Sequence, residues 1–346
     1  MVIVTDVKWK NKKGEIKSGY YMDGFLAENL YQIPAFIKKD WDCVGIVSGS
    51  GLVRVGKSYI ASQIGYFVAW LLAGGAMDLR RDLDTGKFIN PVVIKSPTNP
   101  VNFSLNNLVF SPEDLMKKGR ELPKNSVIIY DEGRSGLDAK SSMTALNRLL
   151  EDFFQECGVY NHVIILVLPD VFKLHADYAI NRSHFLVNVY HDENYQRGYF
   201  NFYNKLQKEK LYEFGKKKLG VTARYNAAYP SFYGRFPNWI PFDEKEYKKE
   251  KKLALKKKEL MRRSAAIKVQ RDAMIHLYHE LSQYTQKQIA EELGEALHKK
   301  VSEDTIGLAI TDYKDYLRKR DELENLSTEN DEDEGEDEEN DEIEEE

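Results

Sequence analysis

Apolar positions along this chain gather into short unbroken runs set between stretches of helical spacing. Residues 44–47 (V-G-I-V), 108–110 (L-V-F), 127–130 (V-I-I-Y), 163–168 (V-I-I-L-V-L) and 185–189 (F-L-V-N-V) have the length and composition of strands buried on both faces. Between them the period changes. The most apolar run, residues 60–77, reads as a buried helix ending near Gly74-Gly75, and residues 141–155 place Leu146, Leu149, Leu150, Phe153 and Phe154 on one helical face. Ser111-Pro112-Glu113-Asp114 reads as a helix start, with serine as cap, proline at the first helical position and acids in the first turn. Strands alternating with helices predict an α/β fold with a mainly parallel sheet covered on both faces.

The flanks are less regular. Residues 1–22 are polar and mixed and read as extended, and residues 25–39 read as a lead-in helix interrupted by Pro34. Residues 78–100 read as a loop-rich insertion with a strand at 92–94, and residues 199–203 as an outer strand. Residues 227–242 (A-A-Y-P-S-F-Y-G-R-F-P-N-W-I-P-F) are too rich in aromatics and proline for one element, and read as a strap laid over the α/β surface. A charged helix or linker over 244–263 and a small helical module over 273–316 follow. The expected division is a lead-in (1–39), an α/β core (40–205), a basic aromatic strap and linker (206–272), a helical module (273–320) and a disordered acidic tail (321–346).

Charge sharpens that division. The net charge of −5 hides a tail, residues 321–346, with seventeen Asp or Glu and no Lys or Arg, which leaves +12 on the rest. Residues 205–271 hold twenty Lys or Arg against seven Asp or Glu. A basic stretch beside a detachable acidic one suggests a polyanion partner, though a solvated helix surface has the same composition. The two cysteines give no disulfide framework, and the amino terminus lacks a signal-peptide shape, which together suit a cytoplasmic protein. The apolar run at 60–77 contains Ser62, Gln63 and glycines and reads as a buried helix, so no membrane span is expected.

Candidate chemistry centres on residues 44–58, V-G-I-V-S-G-S-G-L-V-R-V-G-K-S. Residues 51–58 match G-x-x-x-x-G-K-[ST], the phosphate-binding loop. Glycines let successive N–H groups turn inward on phosphate oxygens, and the following helix adds its positive dipole end. The expected nucleotide contacts are Gly51, Leu52, Val53, Arg54, Val55, Gly56, Lys57, Ser58 and Tyr59, with Lys57 on the β- and γ-phosphates and the Ser58 hydroxyl on Mg²⁺. V-I-I-Y-D-E (127–132) then places an acid pair at a strand end: Asp131 for Mg²⁺ and Glu132 to orient an attacking water. The adjacent pair suits water activation, hence ATP hydrolysis, better than transfer to a hydroxyl acceptor.

Three further residues carry more than one reading each. Arg134 is a γ-phosphate sensor or neighbour contact, or a surface arginine. Asp170, at the end of the 163–168 strand, is a polar sensor of the water or a helix cap. Arg182, just before the last core strand, is a finger entering a neighbouring subunit's site, or else a structural salt bridge or a DNA contact.

G-S-G-L-V-R-V-G-K-S, V-I-I-Y-D-E-G-R, H-V-I-I-L-V-L-P-D and R-S-H-F-L-V-N-V-Y together resemble the FtsK–HerA group of P-loop ATPases. Within it the chain looks like the zonula-occludens-toxin-like packaging ATPases of phages and mobile elements. The resemblance covers roughly residues 40–205. It implies a RecA-like P-loop NTPase fold and a homo-oligomeric ring, possibly a hexamer, that moves double-stranded DNA with ATP and Mg²⁺. Partner proteins of a virus or mobile element, and a place in the host cytoplasm or the virion, go with it. One departure is visible: the group usually has a glutamine at the end of the fourth strand, where this chain has Pro169-Asp170. The alternative of a different class is a DNA-bound ATPase switch that regulates or partitions DNA without moving along it. Residues 284–294, Y-T-Q-K-Q-I-A-E-E-L-G, resemble the first half of a helix-turn-helix, and 301–306, V-S-E-D-T-I, the start of its second helix. Glu303 and Asp304 stand where such a helix would meet phosphates, so a protein-docking module is the other reading.

Overall fold

A computed structural model of the full chain describes every residue except 1, 11–15, 50–53, 83, 87–91, 132–149, 154–157, 219, 264–265, 283 and 342–346. Two compact units divide the chain, residues 1–249 and 250–346.

The first unit is built on a seven-stranded sheet. In chain order its strands are preceded by an antiparallel hairpin, β1 (Val2–Lys10) and β2 (Ile16–Met22). Two short helices follow, α1 (Gly24–Leu30) and α2 (Ile33–Ile37), so the expected single lead-in helix is split ahead of Pro34, which sits in the first turn of α2. Then come β3 (Cys43–Ser48) and α3 (Lys57–Leu72). A second hairpin, β4 (Ala76–Asp78) with β5 (Val92–Lys95), forms the insertion. The chain returns through β6 (Leu108–Val109), α4 (Pro112–Glu121), β7 (Val127–Asp131), β8 (Val163–Val167), β9 (Phe185–Tyr190), β10 (Tyr199–Tyr203) and β11 (Phe232–Arg235). Ser111 caps α4, its hydroxyl accepting from the Asp114 N–H at 3.1 Å. Of the amphipathic helix expected over 141–155, residues 150–153 are described and helical, with Leu150 and Phe153 buried; the rest lies outside the described residues.

Spatial order across the sheet is β11-β10-β9-β3-β8-β7-β6. The run from β9 to β6 is parallel, and β10 and β11 add an antiparallel edge. The phosphate-loop strand β3 is therefore central, between β8 and β9. Side chains alternate across the sheet as the pleat requires. Cys43, Val47, Ile129, Ile165 and Val187 pack toward α3, whereas Val44, Ile46, Ile128, Tyr130, Ile164 and Leu166 pack toward Leu115 of α4. Two cores, one per face, hold the sheet between helical layers.

The segment 227–242 is partly regular, contrary to the reading of an irregular strap. Phe232–Arg235 pairs with β10, Ala227 and Ala228 pack on the α4 face, and the part around Pro237–Trp239 crosses α3. There the Gln63 side-chain amide donates to the Pro237 and Trp239 carbonyls at 2.8 and 2.7 Å, and Trp239 stacks on Tyr20 at 4.2 Å. These contacts fold the strap into the same unit as the sheet.

After α5 (Lys205–Lys216) and α6 (Val221–Tyr225), helix α7 spans Glu244–Arg263 and contains the boundary between the two units. The second unit packs α8 (Ala266–Ser282), α9 (Gln286–Ala296) and α10 (Glu303–Asp341) around Ile275, Ile289, Ala290, Ile306, Ala309 and Ile310. Thr285 and Gln288 close a capping box at the start of α9. Glu303 and Asp304 are exposed in the first turn of α10. That helix runs on to Asp341, where composition predicts a disordered tail. Once nucleated by packing, a helix extends at little cost per residue, and residues 321–341 contain one glycine and no proline to stop it.

Candidate functional site

Every residue of β3 is buried, so the strand fixes rigidly where the following loop begins. Gly51, Leu52 and Val53 lie outside the described residues. From Arg54 onward the loop is described: Arg54 is left-handed at φ 58°, and Gly56 at φ 101° caps α3. A side chain at Gly56 would be strained, and its Cβ would stand 3.0 Å from the Phe236 ring. The Gly56 carbonyl accepts from the Tyr59 and Ile60 N–H groups at 3.1 and 3.2 Å, which starts the helix. Val55 is buried, whereas Lys57, Ser58 and Tyr59 are half-buried along the opening of α3.

Lys57 turns back over the end of β3. A Cβ at Gly49 would lie 2.9 Å from both its Cδ and its Nζ. Gly49 is therefore a site residue that the motif does not name, because its role is the absence of a side chain under an ammonium group.

Asp131 ends β7 and is 3% exposed. Register places it opposite Val167 of β8, which is in turn opposite Val47 of β3. Asp131 and the end of the phosphate-loop strand thus share one row, with a single strand between them, about 10 Å apart at the usual strand spacing. The pleat turns Asp131 toward the α3 face, the face on which Ile129 packs. Its Oδ2 accepts from the Tyr247 hydroxyl at 3.2 Å. Glu132 and Arg134 lie outside the described residues.

Tyr59 reaches out of the first turn of α3, and its hydroxyl donates to Glu244 Oε1 at 2.7 Å. Burial, and next the Glu244 carboxylate, hold that hydroxyl well above the usual tyrosine range. Glu244 and Tyr247 both belong to the first turn of α7, so one turn of helix touches the loop helix and the acid-bearing strand.

Asp170 caps a short 3₁₀ turn, Val171–Lys173, accepting from the Phe172 N–H at 3.1 Å. The buried Tyr225 hydroxyl lies 3.3 Å from Asp170 Oδ1 and 3.0 Å from Ser48 Oγ, and accepts from the Val171 N–H at 3.1 Å. Arg224 approaches the other carboxylate oxygen at 3.9 Å. Burial, with Asp170 next, drives the Tyr225 hydroxyl far above the ordinary range, so it stays protonated. The cap reading of Asp170 describes its backbone partner, and the contact with Tyr225 joins the ends of β8 and β3. No sequence signal near residue 48 or 170 points to Tyr225.

Arg182 lies at the other end of the sheet. Its guanidinium pairs with Asp42 at 3.1 Å, immediately before β3, while the phosphate loop follows β3. Within its own chain Arg182 and the phosphate loop stand at opposite strand ends. Beside it the buried Lys208 ammonium donates to the Ile180 carbonyl at 2.9 Å and to the carbonyl and hydroxyl of Ser183.

A scan against protein-family models gives no match, and searches of the curated proteins and of the solved structures give none either. Among the described residues no group of three or more His, Cys, Asp or Glu could hold a metal ion, and no helix is long and apolar enough to cross a membrane.

Proposed function

We propose that the chain binds ATP with Mg²⁺ at the carboxyl ends of β3 and β7, hydrolyses it, and uses the cycle to translocate or package double-stranded DNA. One observation carries the reading. Lys57 opens α3 from a left-handed glycine, folded over Gly49, while Asp131 is buried in the same row of the sheet one strand away. Open α/β sheets bind ligands outside the carboxyl ends of their strands. The Lys57 ammonium at the opening of α3 suits a phosphate group in charge, and one carboxylate with the Ser58 hydroxyl suits Mg²⁺, which keeps most of its water and phosphate ligands.

In that role Lys57 neutralises the β- and γ-phosphates, the start of α3 points its dipole at them, and Asp131 orients water bound to the metal. Bound Mg²⁺ would supply charge neutralisation on the phosphate oxygens. Glu132, next to Asp131 in the sequence, holds and polarises the attacking water. In a ring of copies, which the resemblance to FtsK–HerA packaging ATPases favours, Arg182 would act on a neighbour's site, since in its own chain it stands at the strand end away from the phosphate loop. The basic stretch 205–271 supplies the phosphate-binding surface.

The second reading, a DNA-bound ATPase switch, is favoured by Asp170. Its carboxylate is committed to a backbone cap and to Tyr225, where translocases of the resembling group carry a glutamine. ATP turnover measured with and without duplex DNA, alongside the mass of the assembly, separates the two. Turnover stimulated by DNA in a ring of defined stoichiometry supports the motor. Slow turnover by a monomer or dimer bound to DNA supports the switch.

A further inference from the structure

The first turn of α7 is fastened to both halves of the candidate site, and this geometry reaches beyond binding and hydrolysis. Glu244 accepts from Tyr59, in the opening turn of α3, and three residues on Tyr247 donates to Asp131, at the end of β7. The turn is itself well ordered. Asp243 Oδ1 accepts from the Lys245 and Glu246 N–H groups at 2.6 and 3.0 Å, and the Asp243 carbonyl accepts from the Tyr247 N–H at 3.0 Å. Phe242 packs on Tyr247 and Phe103 at 5.9 and 6.3 Å, so the tyrosine is wedged inward. Lys245, Lys248 and Lys249 on the same two turns are exposed. A cationic helix is thus hydrogen-bonded to the groups assigned to nucleotide and metal.

We infer that this turn is a latch, and that Mg-nucleotide binding releases it. The inference rests on the nucleotide reading of the site. A carboxylate that orients the waters of Mg²⁺ must accept hydrogen bonds from them, and Asp131 Oδ2 already accepts one from Tyr247. On that buried oxygen a metal-bound water would take the place of the tyrosine hydroxyl, and the turn would lose its hold on Asp131. Glu244 also holds Lys248 at 2.6 Å while the turn is latched. Release therefore lets the turn swing its exposed lysines, Lys248 no longer paired among them, onto a polyanion, duplex DNA in this reading. Linkage makes the effect reciprocal, since DNA that holds the released turn must favour nucleotide by the same factor.

The test compares the affinity of the full chain for a short duplex DNA, with and without the magnesium complex of a non-hydrolysable ATP analogue. The native chain should bind duplex about 5-fold or more tightly with the analogue, the lower range of typical allosteric couplings. Tyr247→Phe removes one oxygen from the latch, and Glu244→Gln weakens the contact with Tyr59. Both variants should bind duplex tightly without nucleotide, with a ratio close to one. Hydrogen exchange of amides 245–249 in the native chain should quicken when the analogue is added. If the native chain does not bind the analogue, the nucleotide reading itself is wrong. If it binds, but the variants keep the native ratio or the 245–249 amides do not respond, the latch alone is overturned.

Discussion

Lys57 Nζ lies so close above Gly49 that a Cβ there would come within 2.9 Å of it. Any side chain at 49 must push the ammonium away from the mouth of the loop. Gly49→Ala should therefore weaken ATP binding with Lys57 still present, and Lys57→Ala should weaken it more. Hydrogen bonds to charged groups contribute about 1.5–3 kcal/mol, so the lysine variant should lose about 10- to 100-fold in affinity. Titration calorimetry with Mg-ATP checks both; an unchanged affinity in Gly49→Ala would show that the ammonium finds phosphate by another path.

Lys208 makes stability depend on pH. Burial lowers its ammonium to about 7, with Lys205 adding to the shift and Glu209 opposing it. The unfolded chain keeps an ordinary lysine near about 10.4. Between these values the unfolded state binds more protons than the native state, so Lys208 makes stability rise with pH. The advantage of the native chain over Lys208→Met should grow from pH 7 toward pH 10, by at most about 1.4 kcal/mol per unit. Urea unfolding of both proteins across that window measures it, and a difference that is flat in pH would contradict the depressed ammonium.

Arg182 and Asp42 form a half-exposed pair, and such pairs are worth about 0–1 kcal/mol. A double-mutant cycle on unfolding should return a coupling in that range. Because the fold survives the change, Arg182→Ala turnover reports on chemistry. A fall of about 10³, the range for arginine fingers, restored in part by mixing with Lys57→Ala subunits, marks a shared site. Native turnover in Arg182→Ala assigns the residue to its pair with Asp42.

The tail should compete with DNA for the basic surface. Removing residues 321–346 takes away seventeen acids and no bases. Filter-binding titrations should show tighter duplex binding at low salt and little change at high salt, where screening shortens the reach of both charges. With about six phosphate contacts, the affinity of either protein should drop by about 10³ between 50 and 200 mM salt. Equal low-salt affinities with and without the tail would make it a solubilising extension.

The core was legible because its signals are local. Runs such as residues 127–130 and 163–168 are apolar at every position, and at four to six residues they are too short for a buried helix and suit a strand buried on both faces. The cap at Ser111 and the glycine-lysine turn at 56–57 are equally local. What stayed hidden acts across long separations. Tyr225 meets Ser48, Tyr247 meets Asp131, and Gln63 meets Trp239, and none of these pairs leaves a periodic trace. Phe232–Arg235 hides within the aromatic, proline-rich stretch because an edge strand needs only one partner and keeps alternate residues exposed. Arg182 precedes β9, at the end of the parallel sheet away from its own loop, so a finger role for it can only be toward a neighbour's site.

In the function we propose, Lys57, Gly49 and Asp131 form an ATP-hydrolysing site whose turnover is tied to DNA. The most direct measurement is steady-state phosphate release by the purified full chain with Mg-ATP, with and without duplex DNA, and with Lys57→Ala as the control. The account predicts release that duplex DNA stimulates and that disappears in the lysine variant. Release equal in native and Lys57→Ala protein, or none from the native chain under either condition, would contradict it.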